Sequence, residues 1–368
     1  MCIFTANKMC ATLENFWNLV YYYRNYRSKM CAGIDFTSGD TGILSKKAFK
    51  FNKTLLCVLI LAAALLLACA GCAVPTAQDE FRVQVTATTY PVYALACAVS
   101  AGEEGVSVSR LNTGQVSCLH DYTLTVSDMA RLEQADLVLI NGAGLEAFLD
   151  GVLDQLDAPL GDCSVGIDLL EADGQLHSHG EDGEIGHSHD HDPHYWMDPR
   201  NAAVMADTIA QALSQADPDN AGRYQANASL AAEALTNAYA AWTTSLSGLS
   251  YPYLITFHDG FRYFAHAFDL ELLFAMEEED GATASAKDIL TASNLVKQYH
   301  LPAVFMEVNG SGSAARAVAG ETGAAVSTLT MLMDGADAPK EAGAVDILTQ
   351  LYLSPMEQNI KTLMEVLK

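Results

Sequence analysis

The sequence predicts an α/β protein made of two α/β lobes with parallel sheets, joined by a long rigid backbone helix. Three observations carry this. Strand-like and helix-like runs alternate with short Gly-containing turns from Phe81 to Leu169, and the alternation starts again at Pro252. Between them lies an Ala-rich stretch after Asp217-Pro218 with few turn signals for about 30 residues, which would span roughly 45 Å at helical rise. That is too long for an ordinary α/β helix and suits a spine.

In chain order, "FRVQVTATTYPVYALACAVSAG" opens as a strand and becomes helical after Pro91. "VSVSRL" reads as a strand, "DYTLTVSDMARLEQA" as a helix, "DLVLINGAGLE" as a strand entering a turn, "AFLDGVLDQL" as a helix and "SVGIDL" as a last strand. "PRNAAVMADTIAQALSQA" is an amphipathic helix leading to the spine. In the second lobe "PYLITF", "LELLFAM", "AVFMEV" and "AAVSTL" read as strands. "FRYFAHAF", "SAKDILTASNLVKQYH" and "SAARAVAGETG" are the intervening helices, and Ala344 to Lys368 is a closing amphipathic helix. No short sequence repeat relates the two lobes.

The segment before the first lobe has another character. "LLCVLILAAALLLACAGCAVP" is uncharged and follows the basic "KKAFKFNK", the pattern of a secretory signal. Its end, "ACAGC", resembles a bacterial lipobox with Cys72 as the lipidated residue and Cys69 as the weaker alternative. Two acyl chains on such a cysteine give a stable membrane anchor. Residues 1–45 resemble neither signal nor domain and read as an over-extended start. The expected organisation is therefore a signal at 46–72, a first lobe at 73–216 with a His-rich loop at 173–194, a linking helix at 217–248 and a second lobe at 249–368.

Of 20 Lys and Arg, eight lie in residues 1–72, against three of 45 Asp and Glu, which leaves 12 basic and 42 acidic residues and a net charge of −30 beyond Cys72. Such a surface repels nucleic acid and suits a body that works near cations. Only Cys97, Cys118 and Cys163 follow Cys72, so no disulfide framework exists. Neither H-E-x-x-H nor G-x-S-x-G occurs, which argues against a secreted hydrolase.

The histidines are the chemical signal. Six of ten fall within "HSHGEDGEIGHSHDHDPH". Three histidines, the last of that segment and two outside it, sit where ordered elements give way to loops, the usual ligand position of open parallel sheets. They are His120 in "SCLHDY", His194 in "DPHYWMDP" and His258 in "LITFHDGF". Two carboxylates follow strands of the second lobe, Asp334 in "TMLMDG" and Glu307 in "FMEVNG". Three imidazoles and one carboxylate make a tetrahedral Zn²⁺ site, and Asp121 and Asp259 are positioned to tune it. His266 and His300 read as surface residues, and Cys118 is a minor soft-ligand candidate.

"LITFHDGFRYFAHAFDLEL", "DPHYWMDPRNAAVMADTIAQAL", "ADLVLINGAGLEAFLD" and "AVFMEVNGSGSAARAVAGETGAAVSTL" together resemble the zinc/manganese substrate-binding lipoproteins of ABC importers, from about Phe81 to Lys368. The resemblance implies two lobes bridged by a rigid helix with a metal in the cleft. It puts the three imidazole ligands on His120, His194 and His258 and the fourth ligand on Asp334, with Glu307 as the alternative. Manganese-selective members tend to carry Glu at the third position, so His258 favours Zn²⁺, with Mn²⁺ or Fe²⁺ as the alternative cargo. The resemblance implies a monomeric, lipid-anchored protein on the outer face of the bacterial membrane, partnered by an ABC permease and its ATPase. A transporter-independent surface zinc buffer or adhesin is the rival role. His177, His179, His187, His189 and His191 then form a weak collector beside the site.

Overall fold

The computed structural model describes residues 82–111, 122–171, 191–276 and 285–368. His120, Asp121, Cys118, Cys72, Cys69 and four collector histidines, His177, His179, His187 and His189, lie outside these residues.

The first lobe is a four-stranded parallel sheet built from β1 (Val83–Ala87), β2 (Val106–Arg110), β3 (Leu137–Ile140) and β4 (Leu160–Asp162), in the spatial order β2-β1-β3-β4. Helix α1 (Tyr90–Val99) connects β1 to β2, and α2 (Val126–Glu133) precedes β3. α2 begins late because Thr125 and Asp128 form a reciprocal capping box that fixes the first turn there.

Two expectations shift. The segment at 147–156 forms two short 3₁₀ turns, Ala147–Leu149 and Leu153–Gln155, instead of a helix. Gly151 between them takes a left-handed φ of 77°, which a helix cannot pass through. The last strand falls at Leu160–Asp162, earlier than "SVGIDL". Asp162 ends it by accepting hydrogen bonds from the Ser164 N–H at 2.8 Å and hydroxyl at 2.6 Å, an Asx turn.

Helix α3 (Pro199–Ala216), N-capped by Asp198, leads into α4 (Ala221–Leu246). The 26 residues of α4 span about 39 Å. Near its start, Asn227 donates to the carbonyls of Val99 and Ala101 in the first lobe. Near its end, Tyr239 and Trp242 pack on Phe268 of the second. It is the expected spine.

The second sheet contains β5 (Tyr253–Thr256), β6 (Glu271–Ala275), β7 (Ala303–Glu307) and β8 (Ala325–Leu329), in the order β6-β5-β7-β8, again all parallel. Helices α5 (Arg262–Ala267), α6 (Ala286–Tyr299) and α7 (Ser313–Thr322) connect them. The two lobes thus share one strand order, a kinship absent from any local sequence repeat.

The C-terminal helix runs as α8 (Ala344–Leu348), a π turn at Thr349–Leu353 and α9 (Ser354–Val366). Pro355 explains the widening: it has no N–H to donate and its ring crowds the carbonyl one turn back. α8 packs against α1 of the first lobe, and one apolar core runs from β1 through α4 to Leu367.

In a parallel sheet of this order, connections leave in opposite directions on either side of the β1–β3 or β5–β7 boundary. Ligands bind at such switch points, beyond the carboxyl ends of the strands. In the second lobe this places His258, just past β5, beside Glu307, the last residue of β7.

Candidate metal site

The turn carrying His194 is the most tightly held segment of the region. Tyr195, Trp196 and Met197 form a 3₁₀ turn with no exposed side-chain surface. Three elements hold it. The Tyr195 hydroxyl donates to the Asn141 carbonyl after β3. The Trp196 indole donates to the Met331 carbonyl in the second lobe at 2.8 Å. The Tyr352 hydroxyl of the C-terminal helix donates to the Trp196 carbonyl at 2.6 Å. The apolar "YWM" run therefore acts as a three-way pin.

His194 is buried, and its Nδ1 lies 2.9 Å from Asp192 Oδ1. The carboxylate accepts, so Nδ1 carries the proton and Nε2 keeps its lone pair for a metal. The His194 backbone N–H donates to the same oxygen at 2.9 Å. Burial alone would raise the Asp192 carboxyl. The hydrogen bonds that His194 donates, with the Arg262 charge, outweigh it and hold the group below its usual range. The sequence held a signal for this: Asp two residues before His, with Pro between, is an Asx-turn pattern.

His258 is buried after β5 and meets His194 edge to face, with ring centres 5.9 Å apart at 85°. Two imidazoles bound to one tetrahedral zinc at 2.0–2.1 Å would have ring centres roughly 5 Å apart. The pair stands close to that spacing. The approach depends on Gly260, where a Cβ would lie 2.1 Å from Met331 Sδ and 3.1 Å from His194 Cδ2. Asp259 is half-buried beside it.

The two carboxylate candidates differ sharply. Glu307 is 1 % exposed, and its Oε1 is buried with no hydrogen-bond partner among the described residues. Its Oε2 accepts from the Asn309 N–H. Burial raises the Glu307 carboxyl, offset in part by the N–H groups of Asn309, Met331, Val308 and Gly310. Asp334 is 37 % exposed and already engaged: Oδ1 accepts from Arg110 Nη1 at 3.1 Å and from the Gly335 N–H at 2.8 Å. It lies five residues beyond β8, an edge strand, away from the β5–β7 switch point.

Nothing in the sequence singles out Arg110. It ends β2, stacks over Tyr90 at 4.8 Å and Tyr93 at 5.3 Å, and donates to the Gly335 carbonyl at 2.9 Å. The Ala338 N–H donates to the Tyr93 hydroxyl at 3.0 Å. The stretch 331–338 is thereby strapped to the first lobe at one end and bonded at the other to Trp196, two residues beyond His194.

The base of the His-rich segment is also fastened. Glu171 and His191 form an antiparallel bridge, and the Asp192 N–H donates to the Leu170 carbonyl at 2.9 Å. From the second lobe, the Tyr263 hydroxyl accepts from the Leu170 N–H at 2.7 Å and donates to the Asp192 carbonyl at 3.0 Å. His191 itself is exposed, as are His266 and His300. Among the described residues no group of three His, Cys, Asp or Glu side chains is gathered closely enough to hold a metal, and His194 with His258 is the pair in place. No described helix is long and apolar enough to cross a membrane.

Two parallel α/β lobes on one helical spine, with two imidazoles meeting between them, are the architecture of two-lobed solute-binding proteins. Residues 85–366 match the family model described as "ZnuA: Zinc-uptake complex component A periplasmic", and the chain belongs to this family. It is 28 % identical over 296 residues to the zinc-binding protein AdcA of Streptococcus pyogenes serotype M6, covering 77 % of this chain and 56 % of that protein. The chain thus spans about half the length of the curated relatives it matches. Among solved structures it is similar to ZnuA, at 25 % identity and TM-score 0.62 over 78 % of this chain and 99 % of that one. The laminin-binding protein Lmb of Streptococcus agalactiae, described as "a bifunctional protein with adhesin and metal transporting activity", shares the fold at 24 % identity and TM-score 0.64, over 78 % of this chain and 100 % of the other.

Proposed function

We propose that the chain captures Zn²⁺ outside the cytoplasmic membrane and delivers it to an ABC permease and its ATPase, without bond chemistry. The observation that carries the reading is the edge-to-face pair of His194 and His258, with Asp192 fixing the His194 tautomer. The family description and the names of its relatives support zinc as the cargo.

In this reading His120, His194 and His258 supply three nitrogens, and a carboxylate not yet gathered with the imidazole pair, Glu307 in preference to Asp334, closes on the metal as the fourth ligand. A buried carboxylate oxygen beside a switch point, without a hydrogen-bond partner among the described residues, suits a divalent cation, whereas Asp334 is committed to Arg110. Imidazoles must be neutral to bind, so capture is favoured at neutral pH and release by acid. His177, His179, His187, His189 and His191 act as a weak collector whose base is fastened beside His194. The body works as a monomer, and residues 46–72 export it and leave it anchored through Cys72. The lobes at 73–216 and 249–368 pivot little on the 217–248 helix, because one continuous core joins them.

The test is metal content and competitive chelator titration of the protein and of His258→Ala, with Mn²⁺ as competitor. One tight zinc per chain that the substitution abolishes and Mn²⁺ fails to displace supports the reading. Tight zinc retained in His258→Ala would sink the cleft assignment, and preference for Mn²⁺ would change the cargo.

A further inference from the structure

Glu146 is a buried acid that the zinc site does not use directly. It follows the "INGAGLE" turn after β3, and its side chain collects three hydrogen bonds. Oε1 accepts from the Thr88 hydroxyl at 2.7 Å and from the Asn141 N–H at 2.7 Å, and Oε2 accepts from the Gly142 N–H at 3.0 Å. Thr88 follows β1 and Asn141 follows β3, so the carboxylate closes the switch point of the first lobe.

Asn141 in turn grips the turn that carries His194. Its Nδ2 donates to the Pro193 carbonyl at 3.1 Å, and its own carbonyl accepts from the Tyr195 hydroxyl. The residues on both sides of His194 are therefore held by one asparagine, and that asparagine's N–H is held by Glu146. Gly142 is left-handed at φ 77° and has no room for a side chain against Asp162, so the loop has little freedom to find another arrangement.

We propose that Glu146 is a positioning residue of the metal site, acting through Asn141 on the Pro193–Tyr195 segment so that His194 presents Nε2 to zinc. This rests on the capture reading above. The ionised carboxylate is the form that accepts all three donors, so loss of its charge loosens the loop. Burial pushes the Glu146 carboxyl up to about 7, with Thr88, Asn141 and Gly142 opposing and the Asp162 charge adding to the rise. Cys163 and Tyr195 are the other titratable groups that face it. The site thereby gains a sensitivity near neutrality that is separate from protonation of its own imidazoles.

The test compares zinc affinity by chelator competition from pH 6 to 8 in the full chain, Glu146→Gln, Asn141→Ala, the double variant and His258→Ala, with the melting temperature of each metal-free form. At pH 8 each single variant is expected to bind about tenfold more weakly, the usual scale for a group that orients a ligand. The double variant should be no weaker than either single, since the two act in one chain of contacts. The ratio between parent and Glu146→Gln should shrink towards one as pH falls to 6, because the parent's own carboxyl is then protonated. A merely structural role would lower the melting temperature and leave that ratio constant. Parent-like affinity at pH 8, losses that multiply in the double variant, or a constant ratio overturns the proposal. If Glu146→Gln does not fold, Asn141→Ala alone decides: a tenfold loss supports the relay and an unchanged affinity ends it. Tight zinc surviving in His258→Ala would instead defeat the capture reading, whatever Glu146 does.

Discussion

The indole Nε1–H of Trp196 donates to the carbonyl of Met331 at 2.8 Å, joining the turn that presents His194 to the strap that follows β8. Trp196 is fully buried, so the bond is shielded from water and its loss strands a carbonyl. The same indole packs against the His194 ring, with centres 5.3 Å apart. Replacement by Phe keeps much of the packing and removes the donor. Trp196→Phe should cost roughly 1–3 kcal/mol of stability, read as a lower denaturation midpoint of the metal-free protein. Zinc affinity should fall with it, because the turn loses one of its three holds. An unchanged midpoint would show that the pin is redundant.

Gly260 is the second steric requirement. With a Cβ 2.1 Å from Met331 Sδ, Gly260→Ala forces the thioether or the His258 loop to move. A shifted thioether is tolerable, as Met is flexible, but His194 Cδ2 at 3.1 Å closes the other side. The expected result is a destabilisation of about 1–3 kcal/mol, together with weaker zinc binding. Calorimetry on the metal-free and loaded forms separates the two. Unaltered zinc affinity would mean that the two imidazoles adapt independently.

Much of this was legible in the sequence, for identifiable reasons. Strand and helix periodicity pointed to both lobes, and the missing turn signals pointed to a spine at 217–248, where the helix Ala221–Leu246 lies. His194 and His258 stood out because each lies where regular structure gives way to a loop. The choice between Glu307 and Asp334 was beyond the sequence. Both follow strands, and only strand order shows that Glu307 lies at a switch point while Asp334 follows an edge strand. Arg110 was equally hidden, because its partners Asp334 and Gly335 lie more than 220 residues away in the chain. Asp192 was visible in principle through its D-P-H spacing. The relay through Glu146 needs the long-range contact between Asn141 and Pro193.

Glu307 and Asp334 can be separated experimentally. Glu307→Gln removes a charge from a buried position with an oxygen that lacks a partner among the described residues, and zinc affinity should drop at least tenfold, the lower end for groups that tune a metal. Asp334→Asn breaks a partly exposed pair with Arg110, an interaction worth about 0–1 kcal/mol. Zinc affinity should then stay within about threefold, since about 0.6 kcal/mol corresponds to that factor. Chelator competition on both variants decides. The reverse pattern would restore Asp334 as the fourth ligand.

Asp192 sets how the site behaves in acid. Its carboxyl is held below the usual range by His194 and Arg262 against the opposing effect of burial. A depressed carboxyl contributes stability that is present above its unfolded value and lost as pH falls through its folded value. Asp192 therefore stays ionised after free imidazoles have begun to protonate, and zinc loss in mild acid should follow the histidines. Asp192→Ala removes the acceptor that fixes the Nδ1–H tautomer and should weaken zinc by about 10–100-fold at neutral pH. A zinc titration at pH 7.5 gives the answer, and parent-like affinity would mean the tautomer is fixed by something else.

Glu146 has the opposite sign. Its folded value of about 7 lies above the ordinary 4.5, so the folded protein binds that proton more tightly than the unfolded chain does. The group favours the fold fully below about pH 4.5, and this contribution is lost as pH rises through about 7. A shift of that size corresponds to roughly 3 kcal/mol between the two ends of the window. Opposing it, the ionised form is the one that accepts three donors around Asn141, so the cost is confined to stability and the gain to the site. In Glu146→Gln this part of the pH dependence should vanish, leaving a flatter profile of unfolding free energy between pH 5 and 8 in urea titrations of the metal-free protein. A variant whose stability still falls across that window as the parent's does would assign the decline to other buried groups.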